Sequence, residues 1–470
     1  MSQRVIGIVS LGAYLPRYRL SGKTLAQVWG GSVRAGERAV ANFDEDSLTM
    51  AVEAALGALE GRDSARVGAC YFASTTPPYA EKSSAAILAT ATDLGKEVAV
   101  ADLGGSLRAG TTALRLALDA VRAGSAREAL VAAADMRNAA PGTEMEPLLG
   151  DGAAALLLGE ENVIARFEGA YTVTHEFTDV WRREHDRYLM MGDLPFIRAY
   201  GYERFIPEVI DGLLAKTGLK RQDVARAAVY APDLRTAQAM QKPLQFPSEA
   251  FSHEELLAQV GNTGTAAPLL ALARALEGAK PGERILVVGY GSGAEALLFQ
   301  ATEQIQRHAF TRGVAPWLRA GRPLAHYGQF LQFRRHVETE EIKAYTALPI
   351  QMREERQTLR LYGQGCLDCG AVQYPARHVC WKCSSRRFEE RKLSRRGKVF
   401  TFTKDHLIPT PDPPTIMVAA DLDGGGRFYT QLTDCDPETV AFEMPVVLTL
   451  RRFHEGENLA HYFWKFRPVV

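Results

Sequence analysis

No stretch of the 470 residues approaches the ~20 uninterrupted apolar positions that a membrane helix needs, which argues against a spanning protein. Net charge is missing too. The 55 basic and 55 acidic side chains cancel, so no global field favours nucleic acid or an anionic membrane. Cysteine is scarce, six in all with four clustered, which speaks against a disulfide framework. It points instead to a reducing cytosol, a cytoplasmic protein and a metal site. What is present is ordinary for a soluble globular chain: 46% hydrophobic and 23% charged residues, on a length that suggests two to four domains. The apolar run near the start, Val5-Ile6-Gly7-Ile8-Val9, is too short for a signal peptide and reads as a first strand.

From Val5 to about Arg166 short apolar strands alternate with Ala-rich helices. The pattern predicts a helix over 47–59, a strand over 69–73, a helix over 83–94 and a strand over 97–102. Such alternation argues for a layered α/β domain. This half ends in Gly150-Asp151-Gly152-Ala153-Ala154, and a near-copy, Gly291-Ser292-Gly293-Ala294, closes the next. Each glycine turn feeds an apolar strand and follows another strand, at 129–134 and 284–289. Chance recurrence is the competing reading. Internal duplication accounts better for the preceding strands and for the two similar half-lengths. The stretch 326–354 is polar and reads as a helical connector without strand signals. Five short strands follow over 398–403, 415–421, 426–432, 445–451 and 460–466, which suggests a small barrel of OB type.

The cysteine cluster lies before that barrel. Cys366-Leu367-Asp368-Cys369 and Cys380-Trp381-Lys382-Cys383 are two C-x-x-C knuckles. Two thiolates at this spacing grip one face of a tetrahedral ion, and a second pair closes the other. Four sulfur ligands favour a structural zinc over a catalytic one with an open water position. Gly370 permits the left-handed turn such knuckles need. A pair of redox disulfides is the alternative, and it lacks a thioredoxin-like context.

Residues 102–114 read as a buried strand end turning sharply into a helix, whose apolar face continues over 115–121. A side chain at such a turn meets free backbone N–H groups and a positive dipole end, a setting that lowers a thiol's pKa. This turn joins four further motifs: the opening Gly7-Ile8-Val9-Ser10-Leu11-Gly12-Ala13-Tyr14-Leu15-Pro16, the Gly150-Asp151-Gly152 turn, Gly261-Asn262-Thr263-Gly264, and Lys280-Pro281-Gly282-Glu283-Arg284. Together they resemble the archaeal-type 3-hydroxy-3-methylglutaryl-CoA synthases of the thiolase superfamily, over roughly residues 4–340. That family works with a cysteine that attacks acetyl-CoA, a glutamate that handles a proton during carbon–carbon bond formation, and a histidine that contacts the second acyl-CoA. By the resemblance Leu107 stands in the cysteine's place, Thr75 in the glutamate's and Ala231 in the histidine's. A lysine that helps hold CoA in the family corresponds to Thr236. Asn262 and Ser292 remain as hydrogen-bonding positions toward a CoA thioester.

Other side chains are weak substitutes. Cys70 lies in an apolar strand and reads as a small core residue. Cys435 sits between acids, which oppose thiolate formation. His253 precedes the helix over 254–260 and reads as a surface histidine. Tyr79 and Tyr230 flank the vacant positions and are candidates for acid–base chemistry in a retro-aldol reaction.

The knuckles, Pro375 and the segment Arg396-Gly397-Lys398-Val399-Phe400-Thr401 resemble a zinc-ribbon and OB-fold domain that accompanies thiolase-superfamily enzymes, over about residues 345–470. The resemblance implies docking onto thiolases or synthases and a channel for the pantetheine arm of CoA. Arg386, Arg387, Arg391, Lys392, Arg395, Arg396 and Lys398 form a basic run; Arg395, Arg396 and Lys398 are the candidate CoA phosphate contacts. A solvated face with Glu389 and Glu390 interspersed is the plainer reading of that run. Single-strand nucleic-acid binding also fits a ribbon and barrel, but the balanced charge and the synthase-like part argue against it.

The expected architecture is a duplicated thiolase fold in five layers, α/β/α/β/α, followed by a zinc ribbon and an OB barrel. Boundaries fall at 1–165, 166–340, 341–395 and 396–470. The expected function is a non-catalytic, synthase-like subunit of a two-component thiolase complex, a homodimer within a hetero-oligomer. A cysteine-independent aldolase or condensing enzyme acting on CoA esters is the alternative, and the synthase itself is a third.

Overall fold

A computed structural model describes residues 4–31, 36–338, 344 and 346–470. They form two compact units, one of residues 1–41 and 46–330, the other of 42–45 and 331–470. Among the described residues no helix is long and apolar enough to cross a membrane.

The first unit is built on nine strands: β1 (Gly7–Tyr14), β2 (Val67–Ala73), β3 (Ala99–Leu103), β4 (Glu128–Asp135), β5 (Gly152–Gly159), β6 (Ala165–Thr174), β7 (Arg226–Val229), β8 (Arg284–Tyr290) and β9 (Gly293–Ala301). Their order is β7-β8-β9-β6-β1-β5-β4-β2-β3. The order shows the duplication directly. In one half β1–β5 and β5–β4 are antiparallel and β4–β2 is parallel. In the other, β6–β9 and β9–β8 are antiparallel and β8–β7 is parallel. A short antiparallel contact between β1 and β6 joins the halves.

Four helices complete the layers: α1 (Ser47–Ala58), α2 (Ala109–Ala123), α3 (Glu203–Thr217) and α4 (Ala267–Glu277). α1 starts at a capping box in which Asp46 accepts from the Thr49 amide and Thr49 Oγ1 accepts from the Asp46 amide. It is apolar almost all round and packs on β1, β5 and β4. α3 covers β6 and β9 with an apolar stripe that includes Phe205, Val209 and Leu213, and stops at the left-handed Gly218. α2 and α4 touch strands of both halves and each other, so they form the middle layer. The result is the five-layered α/β/α/β/α arrangement.

The segment entering α2 differs from expectation in one respect. Its strand, β3, is the last in the sheet with β2 as its one neighbour, and its residues are mostly exposed, not buried. Of the 326–354 connector, helices Tyr327–Phe333 and Leu348–Arg353 are present; residues 339–343 and 345 lie outside the described set.

In the second unit strands Tyr362–Cys366, Val372–Gln373 and Phe388–Lys392 make a small sheet that carries the cysteine knuckles. Beyond it β10 (Arg396–Asp405), β11 (Thr415–Leu422), β12 (Arg427–Leu432), β13 (Pro445–Gly456) and β14 (Leu459–Pro468) close into a barrel in the order β10-β11-β12-β14-β13. Val399, Val418, Phe428, Leu448, Trp464 and Phe466 fill its interior. A buried charged cluster lies at one side. Arg451 Nη1 is 2.9 Å from Glu45 Oε1, Lys465 Nζ is 2.8 Å from Asp44 Oδ2, and Arg451 also pairs with Asp434.

Candidate functional site

The duplication places two of the expected positions symmetrically. Thr75 lies two residues beyond the end of β2, and Ala231 two beyond the end of β7, its counterpart in the other half. Leu107 occupies the turn between β3 and α2, as expected. This turn meets the other glycine motif: Gly291, at φ +145°, packs so closely that a Cβ there would lie 2.4 Å from Ser106 Oγ and 3.0 Å from the Leu107 amide nitrogen. Ser292 is next to it and accepts a hydrogen bond from the His175 amide at its carbonyl.

One hydrogen-bond chain ties the remaining positions together. Asp135, at the end of β4, accepts at Oδ1 from Ser74 Oγ (3.0 Å), the Thr75 amide (2.7 Å), and the Thr76 amide and hydroxyl (3.1 and 3.0 Å). Its Oδ2 accepts from the Thr265 amide at 2.8 Å. The neighbouring Gly264 amide donates to Asn262 Oδ1 (2.9 Å), and Asn262 Nδ2 donates to the Tyr230 hydroxyl (2.9 Å), one residue before Ala231. Asn262 therefore uses both ends of its amide inside the fold.

Leu107 is 6% exposed and belongs to a core cluster with Tyr202, Phe205, Tyr230 and Tyr290. Tyr290 ends β8 and Tyr230 directly follows β7, its parallel neighbour, and their rings are near-parallel at 5.8 Å. Tyr202, closing a π-helical turn at Arg198–Tyr202, lies 4.4 Å from the Tyr290 ring; such turns recur at functional sites. Burial raises the hydroxyl pKa of all three; neighbouring carboxylate and phenol charges add to it at Tyr202 and Tyr290, whereas at Tyr230 Arg137 and the Asn262 hydrogen bond partly offset it. Asp135, Arg137, Asp179, Tyr202 and Tyr290 were not singled out in the sequence. Asp135 and Tyr290 left a signal, each being a polar C-terminal end to a strand with an apolar middle. Asp179 and Tyr202 left none.

His253 is a correction. It is 5% exposed, not at the surface, because its ring packs edge-on against Phe251 and hydrogen-bonds the Ala227 backbone. Burial, partly offset by that bond, pushes its pKa down to about 4. With Tyr230 and Ala231 it lines a cavity of about 20 Å³, room for a single water. Cys70 is fully buried in β2, as expected. Thr236 is held by Asp233 at the start of a helix.

In the second unit the four sulfurs of Cys366, Cys369, Cys380 and Cys383 lie within 4.8 Å of one another. Two of the separations are 3.6 and 3.7 Å. A zinc tetrahedron with ~2.3 Å bonds needs sulfurs about 3.8 Å apart, so the set fits the ion. Gly370 takes the left-handed conformation in the first knuckle. Much of the basic run is already engaged: Arg387 pairs with Asp368, Lys392 donates to the Arg360 carbonyl, and Arg395 donates to the Leu448 carbonyl. Arg396 and Lys398 are exposed, Lys398 lying 3.6 Å from Glu443. A cavity of about 210 Å³ opens elsewhere in this unit, beside Asp44, Lys465, Cys435 and His454.

The duplicated layers and converging strand ends define a thiolase-type condensing-enzyme fold. It is shared with a solved hydroxymethylglutaryl-CoA synthase complexed with CoA (TM-score 0.65, 20% identity, 73% of this chain and 96% of that one). It is also shared with 3-oxoacyl-[acyl-carrier-protein] synthase III from Aquifex aeolicus (TM-score 0.57, 23% identity, 63% of this chain and 99% of that one). Residues 214–300 match the 3-oxoacyl-[acyl-carrier-protein] synthase III C-terminal family. Residues 353–389 match the ChsH2 rubredoxin-like zinc ribbon domain, and 390–451 the ChsH2 C-terminal OB-fold domain. The hydroxymethylglutaryl-CoA synthase of Pyrobaculum neutrophilum is 34% identical over 349 residues, covering 72% of this chain and 99% of its own length. That of Methanopyrus kandleri is 35% identical over 351 residues, with coverages of 72% and 99%. The chain belongs to the hydroxymethylglutaryl-CoA synthase family, joined to a zinc ribbon and an OB barrel.

Proposed function

We propose that this chain is a catalytically silent, synthase-like subunit that seats a CoA thioester and docks a separate, cysteine-bearing thiolase. Leu107 carries the reading. Its side chain has no lone pair, cannot hold an acyl group, and is buried among tyrosines at the turn where the family keeps its nucleophile. Thr75 and Ala231 empty the other two corners by the same correspondence. The fold's relatives include a synthase complexed with CoA, and the cavity of the zinc/OB unit offers room for a ligand arm. Ser292 of the first unit, and separately Arg396 and Lys398 of the second, are the positions we keep for CoA contact, since Asn262 and Arg395 are engaged inside the fold; the zinc ribbon is the base of the docking module. A homodimer would pair through β3, an edge strand with one neighbour in its sheet.

The test is purification alone and with a thiolase from a neighbouring gene, followed by a thiolysis assay. Activity only on mixing is expected; turnover by the isolated chain would sink the silent role. A second reading, hydroxymethylglutaryl-CoA synthesis by this chain itself, is favoured by its identity to synthases along nearly their whole length. It needs a replacement nucleophile. Cys70 does not offer one, since burial and the nearby Asp102 push its thiol up to about 12.

A further inference from the structure

The four sulfurs of the zinc ribbon differ in their access to solvent. Cys366 and Cys380 are buried, Cys369 is half-buried and Cys383 is exposed. Across the knuckles they are matched: Cys366 Sγ lies 3.6 Å from Cys383 Sγ, and Cys369 Sγ lies 3.7 Å from Cys380 Sγ. Each pair therefore joins a buried sulfur to one that solvent reaches. The knuckles are also tied to each other by contacts that do not involve the ion. Asp368, in the first knuckle, accepts from Ser385 Oγ and from Arg387 Nε beyond the second. The Leu367 amide donates to the Arg387 carbonyl at 3.0 Å, and Cys366 ends a strand paired along its length with Phe388–Lys392.

Thiolates that hold zinc remain nucleophiles, and an accessible one is open to a hydroperoxide. We propose that the ribbon is a reversible redox switch, in which a hydroperoxide entering at Cys383 converts the four thiolates into the disulfides Cys366–Cys383 and Cys369–Cys380 and frees the zinc. The Cys383 sulfur attacks a peroxide oxygen, the O–O bond breaks and hydroxide leaves, giving a sulfenic acid. Cys366 then attacks that sulfur, a second hydroxide leaves and the S–S bond forms. Cys369, the half-buried member of the other pair, and Cys380 repeat the two steps. The four thiolates give up four electrons to two hydroperoxides, and the four hydroxides take protons from solvent. Closing each pair to the ~2.05 Å of a disulfide moves each sulfur by only about 0.8 Å. Neutral disulfide sulfurs no longer hold the ion. The Asp368 contacts and the strand pairing survive oxidation, so reduction returns the sulfurs to their ligand positions. Leu367 and Trp381, 56% and 67% exposed, sit inside the knuckles, and the apolar surface they present changes with the sulfurs.

Titration of the zinc-loaded full chain with hydrogen peroxide tests this. A chromogenic chelator should record one zinc freed for two peroxides consumed, and non-reducing peptide mapping should find the two cross-knuckle disulfides. Cys70 and Cys435, both buried, should stay thiols. Reduction with a phosphine in the presence of zinc should restore one bound equivalent. Asp368→Asn keeps all four sulfurs and should release zinc at the parent rate but regain it about threefold more slowly, the scale of one exposed ion pair. Zinc retained under excess peroxide overturns the switch, as do disulfides closed within each knuckle or sulfinic acid at Cys383 in place of a disulfide. Zinc that is freed but not taken up again after reduction overturns its reversibility, and equal recovery by Asp368→Asn overturns the part given to the Asp368 contacts.

Discussion

Replacing Arg451 with Met isolates the buried charges of the second unit. Arg451 and Lys465 face three carboxylates, Asp44, Glu45 and Asp434, and every one of the five is at least 95% buried at its side chain. Methionine preserves most of the volume, so lost packing is a minor part of the effect. What remains is one lysine against three buried carboxylates. Removing one partner of such a set costs about 3–5 kcal/mol, because Glu45 and Asp434 lose the buried guanidinium that faces them while Lys465 stays with Asp44. For a unit of this size that lowers the melting midpoint by roughly 6–20 °C. Scanning calorimetry of the full chain, with Trp464 in the barrel interior as a local fluorescence reporter, reads the loss. A cost under about 1 kcal/mol would refute the placement of these charges as ionised and mutually dependent. The same set fixes an acid limb. Burial pushes the Asp44 carboxyl up, but Lys465 and Arg451 outweigh it and hold the group below its ordinary range. Its contribution is therefore complete above the unfolded value of about 4 and is lost as pH falls through the lower folded value. Arg451→Met should move this transition to higher pH.

Three more outcomes are expected. Asp135→Asn sets an amide donor against either the four donors on Oδ1 or the Thr265 amide, and should cost about 2–3 kcal/mol in urea unfolding; a change below about 0.5 kcal/mol would remove the network from the site's support. His253, neutral in the fold with its pKa near 4, gives stability that is complete above about pH 6.5 and lost as pH falls toward 4. His253→Gln should flatten that slope by up to about 3 kcal/mol in the urea-midpoint profile, and an unchanged slope counts against its burial. Cys369→Ser should lower bound zinc from one equivalent toward none by elemental analysis; full retention would show that the ion sits elsewhere.

The zinc ribbon was legible because its chemistry is local: two knuckles fix ligand type and spacing within a few residues each. The duplication was legible for a related reason. Repeated glycine turns between apolar strands leave a pattern at short range, and the sheet order β1-β5-β4-β2 against β6-β9-β8-β7 repeats it in space. His253 was misread because nothing in its own neighbourhood foretells that Phe251 and the Ala227 backbone enclose it. The β3 strand was misread as buried because an apolar run carries no mark of whether its strand sits at the centre or the edge of a sheet.

By itself the sequence determined the strand and helix pattern, the metal ligands, and the motifs of the family. Each of these depends on residue type at short spacing. Only the tertiary structure decided that Asp135 gathers the Thr75 loop, that Asn262 turns inward to Tyr230, and that Tyr202, Tyr290, Asp179 and Arg137 meet beside Leu107. Those groups lie far apart along the chain, and what they do to one another depends on distance and burial, which exist only once the two halves have packed around α2 and α4.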